Sequence, residues 1–93
     1  MKSAFVYILR CSDGSLYTGW TNNLKNRLKK HNKGLGAKYT RARRPCTLVF
    51  FMEVSDKKIA MKIEYRIKKL KKKSKENIVN NFDRKKLELL NYE

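Results

Sequence analysis

The sequence predicts an α+β domain. Three observations predict it: a β-hairpin pattern near the N-terminus, a third strand-like apolar run in mid-chain, and apolar residues at helical spacing between and after them. The 93 residues make one domain, 1–93. Its core is expected over about 4–80, with a short helical extension at 81–93.

The hairpin is the stretch Ala4 to Trp20. Two runs rich in β-branched and aromatic residues, Phe5–Leu9 and Leu16–Trp20, flank the turn cluster Ser12-Asp13-Gly14-Ser15. Strands are expected over 4–11 and 15–20, the first apolar on both faces, as suits a central strand covered by helices. The loop length decides where Tyr7 and Tyr17 point. A two-residue Asp13-Gly14 loop would put them on opposite faces. A three-residue Ser12-Asp13-Gly14 loop, with Gly14 left-handed, would pair Leu9 with Tyr17 and Tyr7 with Gly19, putting both phenols on one face. The order Ser-Asp-Gly favours the second.

Thr21 suits an N-cap for a helix over 22–33, which Gly34 closes. Leu24 and Leu28 form its apolar stripe, and Arg27 and His31, also four apart, lie on the stripe beside it. Residues 34–46 read as a loop bracketed by Gly34, Gly36 and Pro45. Lys38, Arg41, Arg43 and Arg44 cluster there around Tyr39, a mixture that suits phosphates and a base or sugar face, or a plain solvated loop.

A third strand is expected over 47–54, with Leu48, Phe50 and Met52 on one face. Ser55 or Asp56 caps a helix over 56–72, whose stripe is Ile59, Ile63, Ile67 and Leu70, with Glu64 at its edge. The basic run Lys68 to Lys75 reads as the end of that helix. Ser74 is expected to cap a helix over 75–81, and Asp83 a last one using Leu87, Leu89 and Leu90.

Lys plus Arg number 24 against 8 acids, a formal net charge of +16. Self-repulsion of that size works against compaction, and a polyanionic partner, nucleic acid foremost, is the economical explanation. A lysine-rich solvated surface is the alternative. Cys11 and Cys46 have no metal-ligand spacing and read as reduced thiols of a cytoplasmic protein. Neither a signal peptide nor a membrane span is expected. The few acids argue against a two-metal carboxylate cluster. A nuclease built here would hold one metal on one carboxylate.

Phe5-Val6-Tyr7 followed by Tyr17-Thr18-Gly19 resembles the GIY-YIG nuclease signature in a variant spelling. Thr21-Asn22-Asn23-Leu24, Arg27, His31, Ala37-Lys38-Tyr39-Thr40, Pro45 and Glu64 follow in the family's order, over residues 4 to the mid-seventies. The resemblance is to the small single-domain GIY-YIG proteins. It implies a three-stranded antiparallel sheet flanked by helices, in the order β-β-α-β-α-α. It implies a metal-dependent endonuclease acting on DNA rather than RNA with low intrinsic sequence specificity, using Mg²⁺ or Mn²⁺. The alternative is a non-cleaving basic nucleic-acid-binding module on the same fold.

Residue by residue, the resemblance makes Glu64 the metal ligand, where spacing alone favours an i,i+4 pair with Lys68. Tyr17 acts on or orients the attacking water, and Tyr7 supports it or touches the phosphate, or is a core tyrosine. Arg27 grips the scissile phosphate. His31 orients Tyr17 or holds the phosphate. Lys38 and Thr40 are phosphate contacts, with Tyr39, Arg41, Arg43, Arg44 and Lys68 extending the nucleic-acid surface, and Gly19 lets the backbone approach a neighbour closely. Asn77 is the nearest counterpart of the asparagine that many members carry after the glutamate.

Overall fold

The computed structural model describes residues 3–83 and 85–90, with side chains up to residue 87. The elements are β1 (Ala4–Arg10), β2 (Leu16–Thr21), α1 (Leu24–Asn32), α2 (Lys38–Arg41), β3 (Thr47–Val54), α3 (Lys57–Lys68), α4 (Lys72–Asn80) and α5 (Lys85–Leu90). One antiparallel sheet runs in the order β2-β1-β3. Its central strand is the one with apolar residues on both faces.

The hairpin closes with the three-residue loop. The Cys11 amide donates to the Ser15 carbonyl and the Gly14 amide to the Cys11 carbonyl, both at 2.9 Å, with Gly14 at φ 83°. Leu9 therefore pairs with Tyr17 and Tyr7 with Gly19. Both phenols stand on one face, with ring centroids 6.4 Å apart.

Each face of the sheet carries its own core. On one, Leu24 and Leu28 of α1 pack against Tyr7, Leu9, Cys11, Cys46 and Leu48. On the other, Ala60 and Ile67 of α3 and Val79 of α4 cover Ala4, Val6 and Ile8. The pairing of β1 with β3 shifts between Ile8 and Leu9, which oppose Phe50 and Leu48 and leave Val49 as the extra residue. That irregularity breaks the expected alternation: Leu48 joins the first core and Phe50 the second.

Three boundaries differ from the sequence reading. Asn23, not Thr21, caps α1, accepting from the Asn26 amide at 3.1 Å, while the Thr21 hydroxyl accepts from the Asn23 amide at 3.1 Å. The expected loop 34–46 contains the short helix α2. The basic run is not one helix end: α3 stops at Lys68, the chain turns, and α4 starts at Lys72 with Ser74 inside it. The earlier turn brings Glu76 back to β1, where Arg10 donates to its two oxygens at 2.6 and 2.9 Å. Those bonds hold the Glu76 carboxyl below the usual carboxylate range. Asp83 accepts from the Lys85 amide at 3.0 Å, and Leu87 packs on the first core; the side chains of Leu89 and Leu90 lie outside the described residues. Among the described residues no helix is long and apolar enough to cross a membrane.

Candidate active site

The face of the hairpin that carries both tyrosines opens into a cleft of about 230 Å³. It is lined by Tyr7, Tyr17, Gly19, Trp20, Thr21, Asn22, Arg27 and Glu64. Four structural elements meet there. β1 and β2 supply the phenols through their register, β2 also supplies Thr21 and the turn after it Asn22, α1 supplies Arg27, and α3 supplies Glu64. Tyr17, Arg27 and Glu64, spread over half the chain, thus border one space.

Among the described residues Glu64 is the sole carboxylate lining this cleft, its side chain 19% exposed, and the Lys68 ammonium lies 3.4 Å from Oε2. The i,i+4 pair with Lys68 that its spacing favours is present, and Glu64 also lines the cleft. Arg27 is exposed on the cleft rim, and its side chain makes no protein hydrogen bond or ion pair among the described residues. A larger groove of about 720 Å³ lies along β3, lined by Phe50, Phe51, Ile78 and Phe82 among others. Its described lining also includes Glu53, Asp83 and Lys86, but neither a guanidinium nor a phenol.

Behind the cleft runs a buried polar chain. Tyr7 is 1% exposed and so is His31; the Tyr7 oxygen lies 2.8 Å from His31 Nε2, and His31 Nδ1 lies 2.8 Å from Thr40 Oγ1. The direction of these bonds follows from the last link. Thr40 donates its one hydroxyl proton to the Ala37 carbonyl at 3.0 Å, because a carbonyl only accepts. His31 Nδ1–H therefore donates to Thr40, leaving Nε2 unprotonated to accept from the Tyr7 hydroxyl.

Burial, then the Arg27 guanidinium, keep the imidazole below the usual histidine range and so neutral. Burial, then Tyr17, push the Tyr7 phenol above its ordinary range, so it stays a donor at neutral pH. Two glycines make room for this chain. A Cβ on Gly19 would sit 2.6 Å from the Tyr7 oxygen, and one on Gly36 would sit 2.5 Å from His31 Nδ1. The expected close approach at Gly19 is thus to Tyr7.

The buried imidazole makes stability depend on pH. The unfolded chain's histidine takes a proton near pH ~6.5, whereas the folded one refuses it until lower pH. Below ~6.5 the unfolded state binds more protons, so stability is full above that value and falls as pH drops toward the folded pKa. The unfolding temperature is expected to decline between about pH 7 and about pH 5.5, and His31→Asn is expected to flatten that decline. An identical decline in the variant would place its origin elsewhere.

Some expected contacts land differently. His31 and Thr40, at 1% and 0% exposure, are too buried to touch a phosphate directly and instead hold Tyr7. Arg43 is committed internally. Its Nε donates to Asp13 at 3.1 Å, its Nη1 to the Tyr39 carbonyl at 3.0 Å, and its guanidinium carbon lies 3.8 Å over the Tyr39 ring. Arg44 donates to the Arg41 carbonyl at 3.0 Å. Lys38, Tyr39, Arg41 and Lys68 remain on the surface, Tyr39 stacked on Tyr17 with centroids 6.1 Å apart. Asn77 is exposed on α4 and does not line the cleft. Sequence reasoning missed Thr21 and Asn22 as cleft residues; the turn entering α1 beside Gly19 was the available signal.

Cys11 and Cys46 are free, buried thiols whose sulfurs lie 3.6 Å apart. The α2 loop is tied back to α1 by Asn32, which accepts from the Cys46 amide at 2.8 Å and donates to its carbonyl at 3.0 Å.

The GIY-YIG catalytic domain family matches this sequence over residues 3–77. The chain belongs to the GIY-YIG family. Among its relatives is the UPF0213 protein CPE1444 of Clostridium perfringens, 54% identical over 76 residues, which are 82% of each chain. The UPF0213 protein YazA of Bacillus subtilis is 51% identical over 72 residues, covering 77% of this chain and 73% of the relative. Two solution NMR structures share the fold. The UPF0213 protein BH0048 from Bacillus halodurans has a TM-score of 0.56 at 47% identity, covering 84% of this chain and 83% of that one. The protein EF2693 from E. faecalis has a TM-score of 0.60 at 42% identity, covering 88% of each.

The cleft's donor set can be tested against a divalent cation. No three His, Cys, Asp or Glu side chains gather among the described residues, so an all-protein cage does not fit. One carboxylate facing an open, polar cleft does fit Mg²⁺ or Mn²⁺, which keep several waters and take substrate phosphate oxygens as further ligands. The ammonium beside Glu64 shows that this carboxylate already attracts positive charge.

Proposed function

We propose that this GIY-YIG protein is a metal-dependent endonuclease that hydrolyses DNA phosphodiester bonds with low intrinsic sequence specificity. The observation that supports it most is the meeting of Tyr17, Arg27 and Glu64 around one cleft of about 230 Å³. The net charge of +16 supports a nucleic-acid substrate.

Arg27, unpaired at the rim, grips the scissile phosphate through its planar fork. Tyr17 borders the same space and orients the attacking water. As that water attacks phosphorus, the opposite ester P–O bond breaks and its leaving oxygen takes a proton from solvent. Meanwhile the water's proton passes to the Tyr7 oxygen and the Tyr7 hydroxyl proton to His31 Nε2, 2.8 Å away. The neutral imidazole, fixed by Thr40, is the acceptor that a buried phenol lacks by itself. Glu64 holds the divalent ion, which neutralises charge developing on the phosphate when bound. Lys38 and Arg41 of α2 and Lys68 of α3 take neighbouring phosphates.

The test is cleavage of labelled DNA oligonucleotides by the purified chain with Mg²⁺ or Mn²⁺. Cutting is expected with either ion and is expected to stop on chelation and return on re-addition. Salt-sensitive binding without cutting, over single-stranded, flapped, branched and duplex substrates, would overturn the nuclease reading and leave a binding module.

A further inference from the structure

A second cleft shares Tyr17 with the first but includes neither Glu64 nor Arg27. It measures about 350 Å³ and is lined by Leu16, Tyr17, Thr18, Tyr39, Lys68 and Lys75. That volume falls within the ~300–1,000 Å³ of ordinary small-ligand clefts. We propose that this cleft is a subsite for one unstacked nucleotide next to the scissile phosphate, so that DNA with a single-stranded or flapped segment is the substrate. The proposal rests on the nuclease reading above and adds the substrate class.

Three features fit a nucleoside. The wall is aromatic: Tyr17 and Tyr39 lie nearly parallel, with an interplanar angle of 23°. Tyr39 is held from its other side by Arg43, which is itself anchored to Asp13, so the wall is ordered before anything binds. The rim is cationic. Lys68 comes from the end of α3 and Lys75 from α4, and Lys68 also contacts Glu64, so it stands between the two clefts. The third feature is a hydroxyl. Thr18 Oγ1 is buried and has no hydrogen-bond partner among the described residues. Buried polar atoms in folded proteins are almost always satisfied, so this hydroxyl has bonding capacity left for a polar group that reaches it.

Strandedness follows from the aromatic wall. In an intact duplex the bases are paired and stacked, and a side chain beside the backbone meets only sugar and phosphate. A base meets an aromatic wall once it has left the stack. The two clefts share Tyr17, so a strand whose phosphate lies at Arg27 and Glu64 has its neighbouring nucleotide beside Tyr39. An unpaired nucleotide enters without the cost of unstacking a duplex.

The test separates binding from cutting. Fluorescence anisotropy in EDTA is measured with a labelled oligothymidylate, the same strand carrying one abasic position, and a duplex of equal length. Wild-type protein is expected to bind the single strand more tightly than the duplex at equal salt. Tyr39→Ala, a change at an exposed side chain, is expected to weaken single-strand binding about tenfold and duplex binding less than about twofold; Tyr39→Phe is expected to restore it. Lys75→Ala is expected to lower the salt slope of single-strand binding by about 0.7.

Equal losses on single strand and duplex in Tyr39→Ala, or no loss on either, would overturn the subsite. If that happened while Mg²⁺-supported cleavage persisted, only the subsite would fall. The expected binding pattern without cleavage would support the subsite and remove the nuclease.

Discussion

Glu64→Gln is expected to lower Mg²⁺-supported cleavage by about a thousandfold or more, with unfolding temperature nearly unchanged. The size follows from scarcity. Among the described residues Glu64 is the sole carboxylate lining the cleft, so no described neighbour there could take over the proposed ion. Glutamine keeps the volume and one oxygen but removes the charge, and a hard divalent ion with a single protein ligand does not survive that exchange. The fold should barely notice, because the lost i,i+4 pair with half-exposed Lys68 is worth about 0.3–0.5 kcal/mol. Nicking kinetics and thermal melts on the same preparation check both halves. Activity within tenfold of wild type would place the ion on another residue.

The parts of this site that local rules decide were legible in the sequence. A Ser-Asp-Gly loop sets the hairpin register, and the register alone puts Tyr7 opposite Gly19 and both phenols on one face. Glu64 could be placed at the edge of an apolar stripe, neither fully solvated nor centrally buried, because helical periodicity fixes which way it points.

Depth was not legible. The stripe beside Leu24 and Leu28 gave Arg27 and His31 the same direction, yet one is exposed and the other is 1% exposed. The difference comes from the returning loop, where Gly36 passes against His31 and Thr40 reaches its ring, and periodicity within α1 carries no information about what lies over it. The fate of the loop cations was hidden for the same reason. Arg43 and Arg41 look alike in sequence, but Asp13, thirty positions away in the hairpin turn, claims only the first. The bond between Arg10 and Glu76 spans 66 positions and ties α4 to β1, which no local pattern announces. The irregularity opposite Ile8 that splits Leu48 from Phe50 leaves no mark in an apolar run such as Thr47–Val54.

Arg27→Ala is expected to cost about a hundredfold to a thousandfold in kcat/KM on DNA, again with little change in stability, since its side chain is exposed and bonded to nothing else among the described residues. Its pH profile is where a second effect should appear. The guanidinium holds His31 lower than burial alone would, and it pulls the Tyr7 phenol down against burial. If the proton of the attacking water leaves through Tyr7 to His31, cleavage requires a neutral imidazole, and activity falls on the acid side as the ring becomes charged. Removing Arg27 raises the His31 pKa, so the acid limb of the residual activity should move to higher pH. Arg27→Lys keeps the charge but loses the two-pronged grip, so it should lose rate while leaving that limb in place. An acid limb that stays put in Arg27→Ala would remove His31 from the proton path, and a rate loss under about threefold would take Arg27 off the phosphate.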